Sequence, residues 1–158
     1  MTEGTRWQFV GFITGLVVLY FLLRVGLGLG VLAPDLLVVA LLLGARRMQA
    51  GWAAGLGLLL GVLDGAARPL TMGAGAVALA IMGYLGARSR EALAGDSPVL
   101  LGLYLFAGKW LYDIIVYLLL VRPNLAGPVS TLLLGSPLAA VYAAAAGLAA
   151  AAAYRAVV

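Results

Sequence analysis

Six long apolar runs, separated by short polar breaks, leave this chain little choice of fold. They lie at about residues 7–29, 31–45, 49–65, 70–87, 98–121 and 137–154. A membrane-crossing helix needs about 20 apolar residues, with a range of about 17–25. Hydrocarbon admits only helices and closed barrels, because every backbone polar group must be satisfied within the protein. The pattern therefore predicts an all-α integral membrane protein, a compact bundle of about six transmembrane helices forming a single domain over residues 1–158. Composition agrees. The chain is 65% hydrophobic and 10% charged, with a mean hydropathy of +1.12, whereas a soluble domain is about 45–50% apolar and about 25% charged. Six spans nearly exhaust the length and leave no room for a sizeable domain outside the bilayer.

The breaks carry their own signals. The first run is long for a signal peptide, and Glu3 accompanies Arg6 at its head, so a resident helix is expected. Pro34 and Asp35 stand near the start of the second run. The second and third runs are short, which predicts that they extend into their flanks or thin the local bilayer. Ser97-Pro98 and Ser136-Pro137 open the fifth and sixth runs, since serine caps a helix and proline suits its first position. Arg122 to Pro128 is a breaker segment. Val129 to Leu134 is apolar but too short to span, and reads as an extra turn of the last helix or an interfacial piece.

Charge orients the bundle. An even number of spans puts both termini on one side, and the cytoplasm is the better choice for them. Arg6, Arg46, Arg47, Arg88, Arg90 and Arg155 then face inward, against only Arg68 and Arg122 outside. That bias is the positive-inside rule. With Arg24 and Lys109 inside spans, these account for all ten basic residues. The net charge of +4 is thus a topology signal, and a nucleic-acid partner is not expected.

Several chemistries are excluded by what is missing. The chain has no cysteine and no histidine, which removes thiolate metal sites, Ser/His/Asp triads and the commonest proton shuttle. Asp64-Gly65-Ala66-Ala67-Arg68 looks like the opening of the CDP-alcohol phosphotransferase signature, but it is one residue short. The next acid is Glu91, too far away to help hold a hard cation that needs several oxygen ligands. The expectation is a non-catalytic protein with no catalytic residue, metal site or cofactor.

Packing and buried charge supply the candidate site. Glycines four apart occur at Gly11/Gly15, Gly26/Gly30, Gly51/Gly55 and in the ladder Gly57/Gly61/Gly65. Such spacing lets helix backbones approach closely in lipid. Gly57, Gly61 and Asp64 share one face of the third helix, which packs within the bundle or forms a groove for a partner helix or lipid. Ionisable groups within spans are functional hypotheses by default. Arg24, Asp35 and Asp64 all fall toward the outer side, where they meet as a partner-contacting or structural group, or else snorkel separately to water. Lys109 and Asp113, four apart in the fifth span, share a helix face. They form an intramembrane polar pair that either neutralises itself or lines a cavity for a substrate or proton.

The order of motifs resembles a family. Ala33-Pro34-Asp35-Leu36-Leu37 opens a span ending in basic residues. Gly57 to Asp64 follows, then Pro69-Leu70, Gly73, and Gly83-Tyr84-Leu85-Gly86 before Arg88 and Arg90. This resembles MreD, the rod shape-determining membrane protein of bacteria, over about Ala33 to Arg90, with size and span count agreeing across the whole chain. Thr71-Met72 departs from the pattern by delaying Gly73. The resemblance implies a scaffold of the elongation machinery (the elongasome) in the bacterial inner membrane. Its partner would be an MreC-like bitopic protein, and through it a RodA-type glycosyltransferase, its transpeptidase and the MreB cytoskeleton. The family is also similar in fold to substrate-binding subunits of energy-coupling-factor transporters, so the rival expectation is a small-molecule (vitamin-like) binding subunit. The outer segments are short and lack aromatic residues, which favours the scaffold.

Overall fold

The computed structural model describes residues 3–26, 35–66, 72–89, 97–120 and 135–157. They form six α-helices and no strand: α1 (Glu3–Phe21, continued by a π-helical turn, Leu22–Gly26), α2 (Leu36–Ala45), α3 (Ala50–Ala66), α4 (Met72–Arg88), α5 (Pro98–Leu119) and α6 (Ser136–Val157). Three of them, over Trp7–Arg24, Pro98–Leu119 and Ser136–Ala156, are long and apolar enough to cross a membrane; α2, α3 and α4 are shorter apolar helices. The end of the first predicted span, the start of the second, and the segment from Arg122 to Leu134 lie outside the described residues.

The short second run is the core. All ten residues of α2 are buried, and α2 packs against each of the other five helices. At 1.5 Å per residue it is about 15 Å long, half the hydrocarbon thickness of about 30 Å. Its neighbours rather than lipid surround it, so no long apolar stretch is required. Around it the outward side chains are large and apolar, including Trp7, Leu59, Val99, Leu103, Leu118 and Leu138. Apolar surface so widely distributed suits contact with lipid and would be anomalous in water.

Glycine sets how closely the helices approach. Ala53 lies opposite Gly83, Gly57 opposite Leu79 and Gly61 opposite Ala76, so α3 and α4 run antiparallel. A Cβ at Gly57 would collide with the Leu79 carbonyl, one at Gly61 with the Ala76 backbone, and one at Gly83 with the Ala53 carbonyl. Gly102 and Gly147 perform a milder version between α5 and α6, where they meet Leu148 and Leu105. Phe9 and Tyr154 pack edge to face with ring centroids 5.9 Å apart. The two ends of the described chain therefore share one end of the bundle.

Two cap expectations need correction. Pro98 does begin α5, but Ser97 at the N-cap makes no side-chain cap hydrogen bond. Ser136 lies within α6, and its hydroxyl donates to Asp113. In each case the position of the helix start was legible, while the partner of the hydroxyl was not.

Candidate functional site

The polar side chains singled out in sequence converge at the end of the bundle opposite the chain termini. Tyr20 and Arg24 are one helical turn apart on α1 and its π-helical continuation. Arg24 Nη1 donates to the Tyr20 hydroxyl at 2.7 Å, and that hydroxyl donates to Asp64 Oδ1 on α3 at 2.6 Å. The Arg24 guanidinium also lies 5.4 Å from the Tyr20 ring centroid. Tyr20 is fully buried and Asp64 nearly so. The phenol thus stands between a cation and a carboxylate, and each contact is charge-assisted. A π-helical turn at this position matches the frequent occurrence of such turns at functional sites.

Asp35 occupies the N-cap of α2, yet its side chain makes no cap hydrogen bond. Its Oδ2 instead lies 2.8 Å from Lys109 Nζ on α5. Lys109 also donates to Asp113 Oδ1 at 2.5 Å, and Ser136 of α6 donates to Asp113 Oδ2 at 2.5 Å. The ammonium lies 5.0 Å from the Tyr112 ring centroid. With a side chain only 7% exposed, Lys109 is the most enclosed cation here, between carboxylates that are 18% and 21% exposed. Asp35, grouped by sequence with Arg24 and Asp64, thus pairs with Lys109 of the deeper pair, and the polar network draws on α1, α3, α5, α6 and the cap of α2.

The other predicted site residues lie elsewhere. Gly57 and Gly61 are buried in the α3–α4 seam, and Asp64 ends that face where the network begins. Sequence reasoning missed Tyr20 and Ser136. Tyr20 had a usable signal, a polar tip one turn before an arginine set in an apolar run. Ser136 had only its cap position, which pointed to a different role. Among the described residues no three His, Cys, Asp or Glu side chains are grouped to hold a metal ion.

A second polar arrangement sits at the opposite end. The Tyr104 hydroxyl on α5 lies 3.1 Å from the Leu42 carbonyl and 3.3 Å from the Gly86 carbonyl. Both belong to the last turns of their helices, where carbonyls lack intrahelical partners. Ser89 adds a hydrogen bond to Gly86 at 3.1 Å, and the Arg46 guanidinium lies 5.9 Å from the Tyr104 ring centroid. This arrangement ties α2, α4 and α5 together. No family model, curated protein or solved structure matches the chain.

Proposed function

We propose that this chain is a non-catalytic, six-span scaffold of the bacterial cell-elongation machinery. It would resemble MreD and bind an MreC-like bitopic protein in the inner membrane, supporting rod-shape peptidoglycan synthesis. The observation that carries the reading is the order of motifs from Ala33 to Arg90. The described residues of that stretch have defined work in the fold: Asp35 and Asp64 enter the polar network, while Gly57, Gly61 and Gly83 make the seam. A stretch whose pattern encodes the packing of three consecutive helices is a reasonable basis for a fold-level resemblance. Added support comes from small-residue faces left open. A Cβ at Gly11, Gly15, Gly51 or Gly55 would meet nothing within 4 Å, so a partner's membrane helix could approach α1 or α3 closely.

In this reading both termini are cytoplasmic. Arg46, Arg47, Arg88 and Arg155 mark the cytoplasmic rim, and the Arg24–Lys109 network lies toward the periplasm. The absence of cysteine makes topology simple to test. Single cysteines at Ser89 and Ala126 should label from opposite sides of the membrane, and labelling from one side would overturn six spans. For the role itself, deleting the gene should round rod-shaped cells, and an MreC-like protein should co-purify. Normal rods without that partner would sink the scaffold. A tightly held small molecule released on denaturation, with normal rods, would establish the transporter-subunit alternative, for which the enclosed Lys109–Asp113 pair is the supporting feature.

A further inference from the structure

At the basic end, α1, α2, α5 and α6 enclose a cavity of about 260 Å3 whose polar lining is Arg46, Arg47, Arg155 and Tyr154. It falls below the roughly 300–1,000 Å3 of pockets for drug-sized ligands and suits a headgroup. Its wall is built from rings. The Arg47 guanidinium lies 4.0 Å from the Phe9 ring centroid, and Tyr154 is braced by Phe9 and Phe12 at 5.9 and 4.8 Å. The Tyr154 hydroxyl so positioned is buried and, among the described residues, has no hydrogen-bond partner. A native buried hydroxyl without a partner calls for one.

Beside this cup lies a second cavity of about 460 Å3, an apolar groove between α1 and α3 lined by Val10, Ile13, Met48 and Leu56. The two cavities share Phe9 and Arg47. A basic cup joined to an apolar groove across one stacked pair has the polarity of an amphiphile. We propose that this end of the bundle binds one anionic phospholipid. Its phosphate is held by Arg47 and Arg155, with Tyr154 donating to a phosphate oxygen, and an acyl chain lies in the α1–α3 groove. Arginine suits the role because its planar fork bonds two phosphate oxygens at once, and basic pockets at the cytoplasmic ends of membrane helices take such headgroups. A free phosphate would satisfy the cup and leave the groove empty. The proposal rests on membrane residence and not on the scaffold role, so either can fail alone.

The test is lipid retention by native mass spectrometry, after release of the protein from nanodiscs of equal phosphatidylglycerol and phosphatidylcholine. Wild type should retain phosphatidylglycerol preferentially. R47Q/R155Q should weaken retention about twenty-five-fold, because each arginine near an anionic surface contributes about fivefold. Y154F should cost about tenfold or more through loss of one hydrogen bond to a charged group. V10W, an exposed substitution that fills the groove, should weaken lipid retention while the protein still folds. Arg88→Gln, at the same end of the bundle but lining neither cavity, should change nothing. Equal retention of the two lipids, or an equal loss in R88Q, would overturn the proposal in favour of diffuse surface charge. Displacement of the lipid by millimolar inorganic phosphate, with V10W unaffected, would overturn it in favour of a free-anion site.

Discussion

Helix α3 is held in two different ways along its length. Its middle meets α4 through shape alone, with Gly57 and Gly61 against the backbones of Leu79 and Ala76. Its far end meets α1 through charge, with Asp64 accepting from Tyr20, which accepts from Arg24. The seam gains from close contact, which lipid does not oppose. The network gains only if every charged group finds its partner, because a buried ion left alone costs far more than a pair contributes. Contact of the first kind tolerates any change that adds no volume, and contact of the second tolerates any that keeps the charges matched.

That difference can be broken at defined positions. The largest effect is expected from Lys109→Met, which leaves Asp35 and Asp113 facing each other without their cation and should cost about 3–5 kcal/mol. Thermal unfolding in detergent would measure it. Neutralising both acids in the same chain should recover part of the loss; no recovery would mean that Lys109 acts by packing rather than charge.

Next come Gly57→Ala and Gly61→Ala, which add volume and no charge. Each should cost about 1–3 kcal/mol through overpacking against α4. Unfolding midpoints equal to wild type would show that the seam can open at little cost. Tyr20→Phe removes the phenolic hydroxyl and keeps the ring, so Arg24 loses an acceptor and Asp64 a donor. About 1–3 kcal/mol is expected, and a cost no larger than that of Phe12→Leu would deny the network a special role.

The smallest effect belongs to Gly55→Ala, at the same helical spacing as Gly57 but on the open side. Isolated stability should stay within about 0.5 kcal/mol. Recovery of an MreC-like partner should nevertheless fall if that face receives its helix. A change in the isolated protein comparable to that of Gly57→Ala would mean that α3 packs differently from the arrangement described.

The helices themselves were legible because long apolar runs and helix-start residues are local properties. Arg46-Arg47 closes α2, and Pro98 opens α5, much as read from the sequence. The candidate site was half legible. Arg24, Asp35, Asp64, Lys109 and Asp113 stand out individually, because an ionisable residue in an apolar run is costly wherever it points. Their division into an outer trio and a deeper pair did not hold, because Asp35 reaches Lys109 across the bundle at 2.8 Å. Position along the chain gives depth in a span, but not which span lies beside it.

By itself, then, the sequence determined that this chain is rich in apolar helices with basic residues between them and a few charges within. Backbone hydrogen bonding in an apolar medium permits few other outcomes for such a composition. Only the tertiary structure decided that the shortest run, α2, is the centre, and that Gly57 packs against a neighbour while Gly55 does not. It also decided that Tyr20 and Ser136 complete a network whose charged members come from separate elements. Those choices depend on which helix faces meet. Glycines and carboxylates specify close approach or a partner charge, and the arrangement of all six helices then selects the neighbour.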